Sequence, residues 1–347
     1  GTSKAVAILA QAAACTHLSL PLAMRRRPSM FHLLLGALCC LLTSLLVLAP
    51  DAAFSRSVPK ERHQTLTAPP PTESYPAPSA GAQHTASWAA TTRTGQLPEA
   101  ALLLQVGNET LWEELRTCAG EVAASGAFAA VDVYITLLRA NPNLTAQAAQ
   151  LPGVRNVATE VVENSGQDIT PFLYQLQAIK ASGKHYDLML KVHSKTKTRW
   201  RRDMLRALCG SPKQARAIVG KFLNEPELGM VGPGGWYTRG VTENFTEYGE
   251  RGFFFSPMEI KAMRKVWALL EPGRPFPDGR SLKIVAGTMF WVRGEALLQD
   301  EGLMRSIPEL LARMPTSYRR RGTAAHAMER LLPTRIQAGG RAVGTTP

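Results

Sequence analysis

The sequence predicts an α/β fold with a mostly parallel central sheet, a Rossmann-type sandwich. The clearest observation is a strand–helix–strand unit in residues 161–197. A β-branched run ends at Val162, a polar turn follows, apolar residues recur at helical spacing from Phe172 to Ile179, and a second apolar run spans residues 186–192. Similar runs alternate with helical patterns over residues 100–232, and such alternation is typical of parallel sheets.

The elements can be assigned in order. We predict strands at residues 102–106, 131–136, up to 162, 186–192, 228–232 and 284–292, and helices at 110–124, 172–182, 212–223 and 324–332. Gly287 and Thr288 interrupt the last strand, and a glycine inside a strand indicates a place where the backbone approaches a ligand. We therefore predict that this segment contacts a ligand, and we assign Gly287 and Trp291 as acceptor-binding residues.

Basic residues cluster at the end of the strand at 186–192. Lys191, His193, Lys195 and Lys197 occupy alternating positions there. Ligands of open α/β sheets bind at the carboxyl ends of the strands, so this row predicts an anionic ligand.

Charge and length narrow the class of protein. The chain has 347 residues, a formal net charge of +13 and a pI near 9.8, which suit nucleotides, membrane surfaces or nucleic acid as partners. Zinc-finger spacing, RNP-like aromatic motifs and long basic helices are absent from the sequence, so we expect no nucleic-acid partner. One globular domain over residues 98–347 accounts for the remaining length.

The N-terminal part is predicted to be a membrane anchor and a stem. Residues 30–49 contain no charge and are long enough to span a bilayer, and three arginines at 25–27 place residues 1–29 in the cytosol. Residues 50–97 are rich in Pro, Ser and Thr and predict a disordered stem. A cleaved signal peptide is an alternative, as is a plastid transit peptide, because residues 1–29 lack Asp and Glu.

Cysteines and glycosylation sequons bear on the compartment. Cys118 and Cys209 fit either one disulfide or two buried thiols. The N-x-T sequons at Asn108, Asn143 and Asn244 favour a lumenal domain. Anchor, stem and sequons together predict a single-pass type II protein of the Golgi membrane.

Two further groups are candidates for chemistry. Trp236 lies among aromatics beside glycines, which favours stacking on a sugar; a loop packed on the core is the alternative. His326 and Glu329 share one face of the helix at 324–332. Glu329 is a candidate base for an acceptor hydroxyl, or else the partner of Arg330 or Arg313.

Six segments carry a family resemblance. They are VENSGQDITPFL, YDLMLKVHSK, WRRDMLRALCG, LGMVGP, AGTMFWVR and HAMER, in that order over about residues 100–335. The combination resembles the rhamnan synthesis protein F family, glycosyltransferase-like proteins of polysaccharide assembly, and is more loosely similar to GT-A glycosyltransferases. The resemblance implies a GT-A-like fold, a nucleotide-sugar donor, and a glycan or polysaccharide acceptor.

The resemblance also implies a donor site. It places Asn164, Gly166 and Asp168 against the donor, although an N-terminal helix cap is the simpler role for Asp168. GT-A enzymes hold manganese or magnesium with an Asp-x-Asp motif, and Lys191, His193 and Lys195 stand there instead. We infer that these three supply the positive charge a metal would give.

Two alternatives stay open at this point. A divalent cation held by Asp187, His193 and His326 is the first. The second is a catalytically inactive glycan-binding or scaffold protein of the same fold, because Ser165 and Gln167 stand where the family pattern carries arginines.

Overall fold

The computed structural model describes residues 96–234, 255–277, 282–316 and 322–347, together with the backbone of Tyr237 and Thr238. The predicted anchor at 30–49, residues 1–29, and the stem as far as residue 95 lie outside the described residues. No helix within the described ranges is long and apolar enough to cross a membrane. The anchor and the Golgi location therefore stay predictions.

Nine strands are described. They are β1 (Glu99–Val106), β2 (Ala130–Leu137), β3 (Val154–Val161), β4 (Leu188–His193), β5 (Leu228–Gly232), β6 (Tyr237–Thr238), β7 (Ile284–Val285), β8 (Phe290–Arg293) and β9 (Ala342–Thr345). Seven of them form one sheet in the order β3-β2-β1-β4-β8-β5-β9, and β6 pairs with β7. The pairs β1–β2, β1–β4, β2–β3 and β5–β9 are parallel, whereas β8 runs antiparallel to β4 and β5. The prediction of a mostly parallel α/β sheet is confirmed.

Nine α-helices accompany the strands. They are α1 (Trp112–Ala123), α2 (Pro142–Ala149), α3 (Ile169–Ser182), α4 (Thr198–Cys209), α5 (Pro212–Asn224), α6 (Pro257–Leu270), α7 (Glu295–Leu298), α8 (Glu301–Ala312) and α9 (Ala324–Ala338). A 3₁₀ turn at Glu109–Leu111 precedes α1.

The helices cover both faces of the sheet, and the strand alternation explains why. Ala101 and Leu103 of β1 pack into the core beneath α3, α6, α8 and α9. Leu102 and Leu104 pack into the opposite core beneath α1, α4 and α5. Successive side chains of a strand point to opposite faces, so a strand buried on both sides reads as a continuous apolar run. The result is a three-layer sandwich with one edge formed by the carboxyl ends of β1, β2 and β4.

The predicted strand at 284–292 is wrong in one respect. β7 ends at Val285 and β8 begins at Phe290, so the chain turns between them. Gly287 has φ of 80° and Thr288 has φ of 49°, a left-handed conformation that ends the strand. The Gly-Thr interruption is a turn that projects to the carboxyl edge.

A disulfide joins Cys118 of α1 to Cys209 of α4, closing a loop of 91 residues in sequence. This resolves the alternative between a disulfide and two thiols. Disulfides persist in oxidising compartments, so the bond agrees with the lumenal placement, which itself stays a prediction.

Candidate functional site

The charged residues predicted from the sequence meet at the carboxyl edge of the sheet. His193 ends β4, Asp168 is the N-cap residue of α3, and Thr288 lies in the β7–β8 turn. Glu329 reaches the same turn from α9. Four separate segments therefore converge on one location, the position where parallel α/β sheets bind ligands.

The fully buried Lys191 and the partly exposed Asp168 form an ion pair at this site. Lys191 Nζ donates to Asp168 Oδ2 at 2.7 Å and to the Thr288 carbonyl at 2.8 Å, and the Thr288 hydroxyl also donates to Asp168. The Lys191 side chain is 0% exposed and lies 5.4 Å from the centre of the Phe172 ring. Burial raises the pKa of Asp168, but the charge of Lys191 and the hydrogen bonds from Lys191 and Thr288 act together against it, and the pKa lies well below its usual range. Asp168 therefore compensates the positive charge of Lys191 within the protein.

His193 is neutral in this environment. Its Nε2 lies 2.8 Å from the Gly287 carbonyl oxygen, and because a carbonyl only accepts, Nε2 carries the proton. Burial, opposed by the charge of Asp168 and reinforced by the positive charges of Lys191 and Lys195, lowers the pKa of His193 to about 4. At neutral pH the ring adds no charge, and Nδ1 keeps its lone pair.

The loops that carry these residues have an unusual backbone. Gln167 and Thr288 are the two non-glycine residues with positive φ within the described ranges, at 57° and 49°. Gly166 has φ of 56°, and a Cβ there would lie 2.1 Å from the Thr170 hydroxyl. Residues in such conformations cost about 1–3 kcal/mol each and concentrate at functional sites. The two loops meet where Asp168 accepts from Thr288.

Glu329 and His326 border the β7–β8 turn. Glu329 Oε1 accepts from the Gly287 N–H at 2.8 Å, and its Oε2 lies 3.6 Å from Arg330. His326 Nδ1 pairs with the Thr323 hydroxyl at 2.8 Å. Burial lowers the pKa of His326, and Arg330 lowers it further. Both roles predicted for Glu329, site residue and partner of Arg330, are compatible with this geometry.

Among the three predicted donor-site residues Lys191, His193 and Lys195, Lys195 is the one that is not buried. Its Nζ lies 4.1 Å from the centre of the Trp200 ring, which packs beside Gly287. Lys195 is partly exposed, in contrast to Lys191. The positive charge offered to a ligand therefore comes from Lys195 rather than from Lys191 or His193.

The remaining predicted residues are distributed as follows. Asn164 is exposed in the loop before α3. Trp291 is 0% exposed, stacks on Phe128 and donates to the Leu208 carbonyl, so its side chain belongs to the core. Both polar backbone groups of Gly287 are engaged, by Glu329 and His193.

The predicted glycosylation sites differ in their surroundings. Asn143 is exposed in the first turn of α2, whereas Asn108 is partly buried and accepts from Thr110. Trp236 and Asn244 lie outside the described residues.

Sequence reasoning missed Thr288 and Trp200 as members of the site. Thr288 was noticed only as a strand interruption, and its contact with Asp168 spans 120 residues. Trp200 had a local signal, a single aromatic residue inside the basic segment KTKTRWRR.

The part of the chain that the structure describes contains no set of side chains arranged for a divalent cation. Asp168 is the carboxylate nearest His193, at 3.9 Å, and it already accepts from Lys191 and Thr288. Asp187 precedes β4 at the opposite end from His193 and accepts from the Glu99 N–H. No group of three His, Cys, Asp or Glu side chains arranged for a metal occurs among the described residues. The alternative of Asp187, His193 and His326 as joint ligands is wrong.

The fold and the site define an α/β protein with a polar, partly cationic site at the carboxyl edge of its sheet. Residues 95–338 match the profile of rhamnan synthesis protein F, which covers most of the 347-residue chain. The chain belongs to the rhamnan synthesis protein F family. No curated protein sequence matches it.

Solved structures show only distant likeness. Glucosyl-3-phosphoglycerate synthase from Mycobacterium tuberculosis, in complex with Mn²⁺, uridine diphosphate and phosphoglyceric acid, is 14% identical, with 75% of this chain and 71% of that chain covered and a TM-score of 0.34. The same enzyme with Mg²⁺ and uridine diphosphate is 14% identical, with 75% and 72% covered and a TM-score of 0.33. Likeness at this level carries no argument about the site.

Proposed function

We propose that the protein is a glycosyltransferase that moves a sugar from a nucleotide-sugar donor to a hydroxyl of a glycan or polysaccharide. One observation carries the proposal. In a chain of the rhamnan synthesis protein F family, the carboxyl edge brings a partly exposed cation, Lys195, together with a carboxylate, Glu329, across the Gly287 turn. Transfer from a nucleotide sugar needs both a cation for the leaving diphosphate and a base for the acceptor.

The donor binds along the carboxyl ends of β1 and β4 in this proposal. Lys195 contacts the diphosphate, and the loop with Asn164 and Gly166 closes over it. Asp168 does not reach the donor, because its carboxylate is paired with Lys191 and accepts from the Thr288 hydroxyl, which fixes the β7–β8 turn. Asp168 and Lys191 are therefore positioning residues, and neither side chain contacts the donor.

The transfer step follows from this arrangement. The acceptor hydroxyl oxygen attacks the anomeric carbon and forms the new glycosidic bond while the bond from that carbon to the diphosphate oxygen breaks. The diphosphate leaves with the electron pair beside Lys195. The hydroxyl proton passes to Glu329, whose carboxylate is fixed by Gly287 N–H and partly exposed. His326, neutral beside it, orients the acceptor.

The family name and the site suggest the substrates. We propose that the acceptor is a rhamnan-type polysaccharide or a cell-wall glycan and that the transferred sugar is a hexose or deoxyhexose. An inactive glycan-binding or scaffold protein of the same fold is the second candidate, favoured by Ser165 and Gln167 in the loop that faces the donor.

The test is donor binding and turnover by the full-length chain. Calorimetry across uridine, guanosine and thymidine diphosphate sugars identifies the donor, and product analysis with oligosaccharide acceptors measures transfer. We expect Lys195→Gln to weaken donor binding by about tenfold or more, because a charge-assisted contact to phosphate is lost. Lys213→Gln, an exposed lysine of α5, is the matched control and leaves binding unchanged.

The outcomes separate the candidates. Binding with turnover supports the transferase, and binding without turnover for any acceptor supports the scaffold. Absence of binding to every donor would overturn both the donor site and the reaction.

A further inference from the structure

We infer that the free edge of β3 binds a second copy of this chain, whose own β3 pairs with it antiparallel about Thr159. The inference goes beyond the proposed function and does not depend on it. The surface runs from Asn156 to Val161, with Glu163 just after it. Backbone hydrogen bonds, apolar side-chain pairs and opposite charge recognise the partner.

β3 is an edge strand with an exposed surface. It lies at the end of the seven-stranded sheet, beside β2. Six of its eight residues are exposed, and Val161 is 53% exposed. The strand contains neither proline nor lysine, the residues that commonly protect such edges. β9, at the other edge, has four residues, each of them partly buried. Of the two edges of this sheet, β3 is therefore the longer and the more accessible.

The backbone of β3 presents a regular row of donors and acceptors. Leu137 of β2 is the register partner of Val161, and its carbonyl accepts from the Val162 N–H. Backbone groups alternate in direction along a strand, so the N–H and C=O groups of Val157, Thr159 and Val161 point away from β2. These N–H groups have no hydrogen-bond acceptor among the residues that the structure describes. Such a row is a template for another strand.

This row fixes the register of an antiparallel pair. Two outward-pointing residues must lie opposite each other, because they then exchange both backbone hydrogen bonds. A β-bulge at Arg155 interrupts the start of β3, which leaves Val157, Thr159 and Val161 as the regular outward residues. Thr159 is their centre. It therefore lies opposite the partner's Thr159, and Val157 lies opposite the partner's Val161.

The side chains that meet in this register are complementary. Val157 packs against the core beside α2, and the Thr159 hydroxyl lies 2.9 Å from that of Thr145 in α2, so both side chains are on the α2 face. Val161 shares this face, because side chains alternate along a strand. Pairing covers the exposed Val161 with the partner's Val157 and sets threonine against threonine. Cross-strand pairs of β-branched residues stabilise sheets.

The charges along β3 favour the antiparallel direction. Arg155 lies near the amino end, and its side chain is 41% exposed. Glu160 lies near the carboxyl end and Glu163 follows it, and both are exposed. The register about Thr159 brings Glu163 of one copy to the partner's Arg155, whereas a parallel register would align like charges. The acidic end of each strand thus meets the basic end of the other.

Pairing of this kind closes on itself. A two-fold axis relates the two strands, so each copy uses its β3 edge once and the contact does not propagate. The carboxyl edges of the two sheets then face opposite directions. β2 and β1 separate the interface from Lys191 and His193 of β4.

The test uses a residue that meets its own copy only in this register. Sedimentation of the full-length chain in detergent solution measures dimer formation over a range of protein concentrations. We expect Thr159→Lys to weaken dimerisation about tenfold or more, because two ammonium groups then lie opposite each other, and Thr159→Glu to do the same. An equimolar mixture of these two variants regains the dimer, since lysine then faces glutamate.

Two controls accompany these variants. Thr159→Val keeps the dimer, because valine suits a strand and carries no charge. Lys213→Glu changes the charge of an exposed residue of α5 and leaves dimerisation unchanged. Thermal unfolding confirms that every variant folds.

Amide hydrogen exchange reports on the backbone itself. We expect the N–H groups of Val157, Thr159 and Val161 to exchange more slowly as the protein concentration rises, and this protection to disappear in Thr159→Lys. The N–H groups of Ala158 and Glu160 point toward β2, so their exchange does not follow concentration. The alternation distinguishes strand pairing from general coverage of the surface.

A chain that stays monomeric at every concentration overturns the inference. So does a dimer that both charged Thr159 variants leave intact, because another surface then joins the copies. Protection of Val157, Thr159 and Val161 that is independent of concentration assigns the edge to another segment of the same chain and also overturns it. Donor binding and turnover are measured separately, and their presence leaves the proposed function standing in each case.

Discussion

Two aspartates lie at opposite ends of the same sheet: Asp132 is 1% exposed, whereas the side chain of Asp168 is 17% exposed. Asp132, in β2 near its amino end, accepts from Arg155 at 2.8 Å, Lys184 at 2.8 Å and Tyr186 at 2.6 Å. Asp168, at the carboxyl edge, accepts from Lys191 and Thr288.

The difference lies in the partners and in the backbone. The side chains of Arg155 and Lys184 are each 41% exposed, and Arg155 also binds Glu99. Lys191 is fully buried, and positive-φ residues flank the Asp168 contact. At the amino end, the buried Asp132 therefore pairs with half-exposed cations; at the carboxyl end, the partly exposed Asp168 pairs with a fully buried lysine, between two loops that contain positive-φ residues. We propose that similar residue types stabilise the fold at one end and preorganise a site at the other.

The largest expected effect is that of Asp168→Asn. Removing the carboxylate partner of the buried Lys191 leaves that lysine as an uncompensated charge, which costs about 3–5 kcal/mol of unfolding free energy. Denaturant titration of the full-length chain measures the loss. We expect the β7–β8 turn to lose its anchor at Thr288 and donor affinity to fall with it.

The double variant Asp168→Asn with Lys191→Met is the control. It removes both charges, so we expect most of the stability to return while donor affinity stays low. If Asp168→Asn alone is as stable as the unsubstituted chain, water solvates the pair at the carboxyl edge as it does the half-exposed partners of Asp132.

A smaller effect is expected for Asp132→Asn, about 1–3 kcal/mol at neutral pH, because water can solvate the half-exposed Arg155 and Lys184. Burial raises the pKa of Asp132, but hydrogen bonds from Arg155, Lys184 and Tyr186 outweigh it and leave the pKa below the usual 3.8. The unfolded chain therefore binds the proton more tightly. The stabilisation is present above about pH 4 and is lost as the pH falls toward the folded pKa.

The measurement is the difference in unfolding free energy between the unsubstituted chain and Asp132→Asn from pH 7 to pH 3. We expect this difference to shrink below pH 4 and donor affinity at pH 7 to be unchanged. A difference independent of pH would mean that Asp132 contributes through packing alone.

The two ends also differ in how far the sequence predicts them. The strands of the parallel half, the stop of α3 at Gly183 and the basic row after β4 follow from local patterns. Asp132 was visible only as a polar residue within an apolar strand, since Lys184 lies 52 residues away. The pairing of Asp168 with Lys191 and Thr288 spans 23 and 120 residues, so no periodicity reveals it.

Local sequence patterns give a wrong expectation where tertiary packing determines the burial of a side chain or the length of a helix. The sequence presents Lys191, His193 and Lys195 as three equal cations, but the structure buries two of them: Lys191 lies beside Phe172 of α3, and His193 contacts the Gly287 carbonyl. Burial keeps His193 neutral, and Asp168 compensates the charge of Lys191, so neither offers a positive charge at the surface. α9 continues through Pro333 to Ala338, whereas the sequence predicted a helix over residues 324–332.

The smallest expected effect concerns strain and is specific to the carboxyl end. Gln167 is exposed with φ of 57°, so Gln167→Gly relieves a left-handed conformation that costs about 1–2 kcal/mol. Greater freedom of the unfolded chain offsets part of that gain, and we expect a net stabilisation of about 0.5 kcal/mol. Gln150→Gly is the control, because exposed Gln150 has φ of −85° and glycine gains nothing there.

Measuring donor affinity shows whether the strained conformation of Gln167 contributes to binding. If the left-handed turn holds Asp168 and the loop before α3 in the binding geometry, Gln167→Gly is more stable yet binds the donor a few times more weakly, whereas Gln150→Gly changes neither affinity nor turnover. If Gln167→Gly is more stable and binds the donor equally well, the strain of this turn does not contribute to donor binding. The contrast between the two ends of the sheet would then rest on the ion pair of Asp168 and the buried Lys191.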